Sequence, residues 1–265
     1  MNRAHFHYLS PDSAPYLSYT DFAESPLNRN RLGGIIGMLE YCGGQPGRHS
    51  LLEIGCGIGN VSIPLASLGY RIKAIDIDEA SVKETERRNV FDNLEVRMKS
   101  VEEEDLSLYD VIILSEVMEH VPEADAFFSD IVARMNPKAF LILTVPNGRG
   151  ICELTLRPAY WLKSRGKGLN MIKAVRRLLG TRELTTANVQ TPHLHFFTMR
   201  RLDRLSRSNA LHLILFHRIF FLWALLESLF SAGWLPPFLA RWDYRLSQKM
   251  PTSFGAIWMF LLQKK

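Results

Sequence analysis

Short apolar segments alternate with longer amphipathic segments through the first half of the chain. The apolar segments predict five strands, at Leu51 to Ile54, Arg71 to Ile75, Leu94 to Met98, Val111 to Leu114 and Phe140 to Val145. Apolar residues at helical spacing predict three intervening helices, at Val61 to Leu68, Glu79 to Val90 and Ala124 to Met135. Strands that alternate with helices predict an α/β fold with a parallel sheet covered on both faces.

This alternation stops after Pro146. About fifty residues separate the fifth strand from the next predicted helix, Met199 to Asn209, which is far longer than an ordinary connection. A sixth strand, an aromatic helical stretch and a seventh strand follow, at Leu211 to Phe216, through Trp242 and at Phe254 to Leu262. We therefore divide the chain into a helical lead-in that could form a lid (1–49), a Rossmann-like core (50–146), a basic insertion that could cap a site on that core (147–198) and a C-terminal part of the core with an aromatic helical stretch (199–265).

Composition narrows the class of protein. Of 265 residues, 47% are hydrophobic and 22% charged, which excludes disorder, collagen and coiled coil. The three cysteines are too few for a disulfide framework. The first ten residues lack the apolar stretch of a signal peptide, and the unbroken apolar run Ile219 to Leu226 is shorter than the roughly 20 residues that span a bilayer. We expect a reducing, cytoplasmic location.

The positive charge is concentrated in the insertion. The chain has a net charge of +5, but nine basic residues against two acidic ones between Arg149 and Glu183 give that stretch +7. A local basic excess attracts anionic substrates, acidic lipid headgroups or nucleic acid. A solvated helical surface is the alternative.

Three glycines separate the first strand from the first helix of the core. Gly55, Gly57 and Gly59 follow that strand directly, and glycine lets the backbone turn tightly and approach a ligand without a Cβ clash. In dinucleotide-binding loops the third glycine comes one residue later, and the helix amino terminus meets a pyrophosphate. Here Glu53 stands two positions before the first glycine, where it would repel a pyrophosphate. The loop therefore favours a positively charged ligand.

Residues after the second and third strands suit a ribose and an adenine. Asp76 lies 21 residues beyond the first glycine, where a carboxylate can accept hydrogen bonds from both ribose hydroxyls, and Asp78 is the alternative. We expect Ser100, Val101 and Glu102 to flank an adenine, with Val101 as the apolar contact. Each carboxylate alone would also fit an exposed surface, but the combination predicts a cationic ligand that carries a ribose.

On these residues, the segment from Leu27 to Asn209 resembles the class I S-adenosylmethionine-dependent methyltransferases. The resemblance implies S-adenosylmethionine as the cofactor. It also implies a Rossmann-like, mostly parallel sheet of seven strands, with an antiparallel last strand and a helical insertion after strand five. The cofactor would lie across the carboxyl ends of strands one and two, with Ser115, at the end of strand four, among the residues that bind it.

Three further motifs are similar to the ubiquinone-biosynthesis O-methyltransferases. They are Ser25 to Leu32, Ser115 to Pro122 and Thr191 to Thr198. In the first, Arg31 matches an arginine that pairs with the cofactor's carboxylate, and a guanidinium would give bidentate recognition; an exposed helix arginine is the alternative. The resemblance implies O-methylation of a small hydroxylated acceptor. The longer insertion and C-terminus depart from that family, so the identity of its acceptor is not carried over.

The last two motifs supply candidate metal-binding and catalytic residues. Glu116, Glu119 and His120 would share one face of a helical turn, and such ligands suit Mg²⁺ or another divalent ion. The resemblance, shared with small-RNA 2′-O-methyltransferases, implies that His193 joins them. His195 is the alternative, because alternate residues of an extended segment face opposite ways.

A bound divalent ion would lower the pKa of the acceptor oxygen. Without an ion, His120 or His193 would act directly as the general base. As a further alternative, Glu119 and His120 would only cap a helix.

Aromatic and basic segments indicate a hydrophobic acceptor. The basic stretch Met171 to Leu179 and the aromatic stretches Phe220 to Trp223 and Trp234 to Phe238 are typical of a membrane interface; core packing is the alternative. They predict a small or lipid-like substrate and peripheral contact with the inner face of a membrane. The alternatives are an RNA 2′-O-methyltransferase whose insertion binds phosphates, with nucleic acid the less favoured partner, and a cofactor-binding module without catalysis.

Overall fold

The computed structural model describes residues 26–150, 193–220, 222–223 and 236–264. Most of the predicted insertion, 151–192, lies outside the described residues, as does the lead-in up to residue 25 and the segment 224–235. The division of the chain into lead-in, core, insertion and C-terminal part therefore stays a prediction. Within the described ranges, no helix is long and apolar enough to cross a membrane.

The described elements follow the predicted alternation of strands and helices. In chain order they are α1 (Pro26–Tyr41), β1 (Ser50–Ile54), α2 (Ser62–Ser67), β2 (Arg71–Asp76), α3 (Glu79–Arg88), β3 (Leu94–Met98), β4 (Val111–Ser115), α4 (Ala124–Arg134), β5 (Phe140–Pro146), α5 (Met199–Ser208), β6 (Leu211–Ile219), α6 (Pro237–Ser247) and β7 (Ile257–Lys264). Two helices begin with a side-chain cap, because the side chains of Asp78 and Thr198 accept hydrogen bonds from backbone N–H groups three residues further along the chain.

The seven strands form one sheet in the order β3-β2-β1-β4-β5-β7-β6. The first five strands pair in parallel with their neighbours, whereas β7 is antiparallel to both β5 and β6. The predicted Rossmann-like, mostly parallel sheet with an antiparallel last strand is confirmed. Its carboxyl ends bring the segments that follow β1, β2 and β4 to one edge.

Helices cover both faces of the sheet, as predicted. Because successive side chains of a strand point to opposite faces, Leu51 packs in the core on the side of α1, α2 and α3, while Leu52 and Ile54 pack in a second core on the side of α4 and α5. In β4, Ile113 lies in the first core and Ile112 in the second. This explains why the central strands are almost continuously apolar.

The last two strands differ in extent from the prediction. β7 begins at Ile257 rather than at Phe254, since Thr252–Phe254 forms a 3₁₀ turn whose first carbonyl accepts a hydrogen bond of 2.8 Å from Trp258 Nε1. Asn147 Nδ2 donates to the carbonyls of Ser253 (2.6 Å) and Gly255 (2.8 Å), so these groups are withdrawn from strand pairing. β6 runs beyond the predicted Phe216 to Ile219, where it pairs with Ile257.

The C-terminal aromatic residues divide between the core and the surface. Phe220 and Trp223 are fully buried in the core on the α1 side, which confirms the core alternative for these two residues. Phe238 is exposed on α6. Trp234 lies outside the described residues.

Candidate active site

The glycine loop after β1 adopts a backbone conformation that only glycine accepts readily. Gly55, Gly57 and Gly59 have φ angles of +73°, +52° and +79°, in the left-handed region that costs other residues about 1–2 kcal/mol each. A Cβ on Gly55 would lie 2.6 Å from Val117 Cγ2, and one on Gly59 would lie 2.7 Å from Ile63 Cδ1. The loop is therefore restricted to glycine by its backbone and by its neighbours.

Glu53 places a buried carboxyl group beside this loop. The residue is 2% exposed and lines the cleft that the loop borders. Its Oε2 has no hydrogen-bond partner among the described residues, and burial raises the pKa of Glu53 to about 8. The group is therefore protonated at neutral pH in this structure, and an incoming cation would stabilise its charged form.

Asp76, at the end of β2, is held against the glycine loop. Its Oδ2 accepts a hydrogen bond of 2.8 Å from the backbone N–H of Gly57, and its Oδ1 accepts one of 2.9 Å from that of Asp78. Asp78 has a different role, since it caps α3 through bonds from the backbone N–H (2.9 Å) and hydroxyl (2.6 Å) of Ser81. Of the two predicted alternatives, only Asp76 is tied to the loop.

The segment Ser100, Val101 and Glu102 follows β3 as predicted but does not line the same cleft. Val101 is buried in the core, and Ser100 Oγ donates a hydrogen bond of 2.5 Å to Glu102 Oε2. The predicted contact of Val101 with an adenine stays a prediction. Directly after Asp76, the apolar side chain of Ile77 is 78% exposed. Ile77 was not among the predicted site residues, although an apolar residue that follows the acidic end of a strand could have indicated an adenine contact.

An ion-pair network surrounds Glu104, two residues after this segment. Glu104 is buried and pairs with Lys73 Nζ at 3.0 Å and Lys99 Nζ at 2.9 Å. Tyr109 Oη donates to the same carboxylate at 2.6 Å. Burial alone would raise the pKa of Glu104, but these hydrogen bonds and charges hold it at about 2.

A second network joins the lead-in helix to the end of β4. Arg31 Nη1, on α1, lies 3.3 Å from Glu116 Oε2. Glu116 also accepts a hydrogen bond of 3.0 Å from Thr144 Oγ1, whose hydroxyl lies 3.2 Å from that of Ser115. Glu116 adopts a φ of +57°, which turns the chain sharply as it leaves the strand. Arg31 therefore faces the cleft and is not an exposed helix arginine.

Three of the four predicted metal ligands lie together, namely Glu119, His120 and His193, and Glu116 is not among them. Residues 117–120 form a hydrogen-bonded turn, closed by the His120 N–H to the Val117 carbonyl at 3.0 Å, rather than the helical turn considered from the spacing. Glu119, His120 and His193 each offer a ligand atom within 4.8 Å of the others. The Glu116 carboxylate is engaged by Arg31 instead, so the predicted four-residue set reduces to one carboxylate and two imidazoles.

The returning segment 193–198 places His193, and not His195, over this turn. The backbone N–H groups of Leu194 and His195 donate to the Glu119 carbonyl at 2.7 and 3.2 Å. The rings of His193 and His120 meet edge to face with centroids 5.1 Å apart. His195 points away and its Nε2 lies 2.8 Å from the Pro122 carbonyl oxygen.

The cleft brings together most of the predicted site residues. Those that line it are Arg31, Glu53, Gly55, Gly57, Ser115, Glu116, Glu119, His120 and His193. Gly59 and Asp76 support its loop, whereas Ser100, Val101 and Glu102 lie outside it. The cleft is also lined by Asn28, Cys56 and Asn60, which were not among the predicted site residues. Burial raises the pKa of the Cys56 thiol well above its usual range, so this thiol is protonated and is not a nucleophile.

Curated relatives match part of this chain. It is 29% identical to the ubiquinone biosynthesis O-methyltransferase of Rickettsia typhi over 126 residues, which are 46% of this chain and 50% of that protein. The corresponding enzyme of Rickettsia akari is 31% identical over 100 residues, or 37% of this chain and 40% of that protein. The chain thus spans half or less of the length of these relatives.

The structural alignment and the family match each cover more of the chain than the two relatives above. The magnesium protoporphyrin IX methyltransferase of Synechocystis PCC 6803, solved with bound SAH, aligns with a TM-score of 0.57 at 16% identity, covering 91% of this chain and 84% of that one. At this identity the likeness shows the fold alone. Residues 27–213 match a family model described as a methyltransferase domain. Because that match includes well over half of the sequence, the chain belongs to the methyltransferase domain family.

Proposed function

We propose that the chain is an S-adenosylmethionine-dependent methyltransferase that acts on a hydroxyl group of a small acceptor. The observation that carries the proposal is the buried Glu53 carboxyl group, whose Oε2 has no partner among the described residues, beside a loop with three glycines at positive φ. A positively charged group of the cofactor would pair with the carboxylate form of Glu53. Asp76 would accept hydrogen bonds from the ribose hydroxyls. When bound, the cofactor supplies an activated methyl group.

The chain's own residues would bind and align the reactants. Arg31 is oriented by Glu116 at 3.3 Å and would bind the cofactor's carboxylate. The exposed Ile77 would offer an apolar face to the adenine. Holding the donor and acceptor in line can contribute several kcal/mol to the lowering of the barrier.

His120 or His193 would act as the general base that removes the proton of the acceptor hydroxyl. Their rings lie 5.1 Å apart in the cleft that the glycine loop borders, and neutral imidazole is a suitable general base near neutral pH. The names of the Rickettsia relatives support an O-methyl product of a quinone-type acceptor. A lipid-like acceptor is consistent with that class, and most of the basic insertion predicted to cap it lies outside the described residues.

The same cluster also supports a metal-assisted version of the reaction. One carboxylate and two imidazoles, from Glu119, His120 and His193, suit Zn²⁺ or Mn²⁺ better than Mg²⁺, which prefers oxygen ligands. Such an ion would lower the pKa of an acceptor hydroxyl when bound. Glu116 is not part of this version, because its carboxylate pairs with Arg31.

Cofactor binding tests the first proposal. In Asp76→Ala, the ribose hydroxyls lose a charged acceptor, and we expect affinity for S-adenosylmethionine to fall about 100-fold, measured by calorimetry. Asp78→Ala is the matched control: it removes the α3 cap, costs about 1 kcal/mol of stability and should leave the affinity within about threefold. Equal affinity of Asp76→Ala and the wild type, with both folded by circular dichroism, would refute the assignment.

Metal binding and chelation test the metal-assisted version of the reaction. We expect the wild-type chain to bind Mn²⁺ or Zn²⁺ in calorimetry, and His193→Ala to bind at least tenfold more weakly because one of three ligands is gone. His195→Ala, whose ring points away, serves as the control. Chelator should abolish turnover while cofactor affinity is retained. Full turnover in chelator would instead assign the proton transfer to the histidines alone.

A further inference from the structure

One face of α6 carries aromatic and basic side chains together in solvent. Phe238 is 68% exposed and Trp242 is 58% exposed, and Arg241 and Arg245 are exposed beside them. At 100° per residue, these four positions fall within an arc of about 100°. Lys249, also exposed, follows just beyond the end of the helix. We refer to these five residues as the α6 face.

The helix that presents this face is held firmly to the body of the molecule. Ala240 and Tyr244, on its opposite side, are buried in the core. Asp243 accepts a hydrogen bond of 2.8 Å from the backbone N–H of Trp223, and Arg218 Nε, on β6, donates one of 2.7 Å to the Ser247 carbonyl at the end of the helix. The exposed aromatic residues therefore belong to an anchored helix and not to a frayed end.

The positive charge of the α6 face is not neutralised within the described residues. There, no carboxylate lies within ion-pair distance of Arg241, Arg245 or Lys249. The one acidic residue of the helix, Asp243, is on the buried side. On α5, by contrast, Arg207 pairs with Asp203 at 3.0 Å. Among the described residues, the α6 face thus combines cations that no carboxylate neutralises with large exposed apolar side chains, and an exposed apolar patch with a polar rim marks an interaction site.

We propose that the α6 face docks on an anionic lipid bilayer. Tryptophan and phenylalanine partition into the boundary between headgroups and acyl chains. The arginines and the lysine would face acidic headgroups, and their charge complements a negatively charged leaflet. This docking requires neither methyl transfer nor bound cofactor, so its test is independent of the proposed function.

Vesicle flotation of the full chain tests the proposal. We expect the wild type to float with vesicles of phosphatidylcholine and phosphatidylglycerol, to bind less as salt is raised, and not to float with phosphatidylcholine alone. The R241Q/R245Q variant should lower the partition coefficient roughly 30-fold, from two lost charges near the surface. The F238A/W242A variant should lower it at least as much, because the apolar contact area is removed.

A matched control removes the same charge elsewhere. The R200Q/R204Q variant alters two exposed arginines of α5 that have no ion pair among the described residues, and it should float within about threefold of the wild type. All changed side chains are exposed, so thermal unfolding should be unaltered; if F238A/W242A fails to fold, R241Q/R245Q decides alone. The proposal is overturned if the wild type does not bind anionic vesicles or if the α6 variants bind as well as the wild type. It is equally overturned if the wild type is a dimer in solution and the only effect of F238A/W242A is to dissociate that dimer. This result would assign the α6 face to contact with a second copy of the chain.

Discussion

At the scale of a single residue, burial sets the protonation of Glu53 beside the glycine loop. Burial raises the pKa of its carboxyl group from the ordinary 4.5 to about 8, so the folded chain holds this proton at neutral pH. A cationic ligand beside Oε2 would favour the charged carboxylate and lower that pKa again. Binding below about pH 8 must then release the proton.

We therefore predict that S-adenosylmethionine binding near pH 6.5 releases nearly one proton from Glu53. Titration calorimetry in two buffers that differ in ionisation enthalpy would measure this number directly. Because fewer protons have to leave as pH rises, affinity should increase from about pH 6 towards pH 8. Glu53→Gln keeps the shape of the side chain and should release no proton. Equal release by the two proteins, or none by the wild type, would contradict the prediction.

At the scale of elements, the turn between β1 and α2 determines how closely two helices pack on the sheet. Gly59 has a φ of +79°, and a Cβ there would lie 2.7 Å from both Ile63 Cδ1 on α2 and Thr85 Cγ2 on α3. Thr85 Oγ1 in turn donates a hydrogen bond of 2.8 Å to the Gly57 carbonyl. The loop conformation and the position of α3 are thus coupled through a few buried atoms.

Gly59→Ala should therefore destabilise the fold by about 2–4 kcal/mol, from backbone strain together with overpacking. Chemical denaturation would measure the change in the free energy of unfolding. Gly43→Ala is the matched control, because Gly43 has a similar φ of +72° but no atom within 4 Å of the added Cβ; it should cost only about 1–2 kcal/mol. Equal losses in the two variants would show that the close contacts to α2 and α3 contribute nothing.

At the scale of the whole molecule, the sheet assembles the cleft from distant parts of the chain. α1 contributes Arg31, the loop after β1 contributes Glu53 and its glycines, and the turn after β4 contributes Glu119 and His120. The described segment 193–198 contributes His193, and it is fixed by the Gly148 N–H, which donates a hydrogen bond of 3.0 Å to the Phe197 carbonyl. No single element holds more than part of the site. This is typical of open α/β sheets, where ligands bind at the carboxyl ends of the strands.

Local patterns predicted the elements well, because the period of apolar residues and the backbone needs of glycine are properties of short segments. All seven strands occur where apolar runs indicate them. Gly55, Gly57 and Gly59 form the predicted tight turn, and all three have positive φ angles. The ends of β6 and β7 were less accurate. Before β7, the hydrogen bonds of Asn147 and Trp258, whose partners the sequence does not reveal, compete with strand pairing. β6 instead continues past its predicted end, because Ile219 pairs with Ile257.

The sequence by itself determined the α/β architecture, the glycine loop and the acidic residues beside it, since each depends on neighbours within a few positions. Only the tertiary structure decided which side chains meet. Glu116 pairs with Arg31 and does not join Glu119, His120 and His193 in the predicted ligand set. His193 faces the cleft, whereas His195 does not. Likewise, Trp223 is buried and Trp242 is exposed, although both are aromatic residues in helical patterns. The physical reason is that burial and pairing depend on the packing of elements far apart in sequence, which no local period contains.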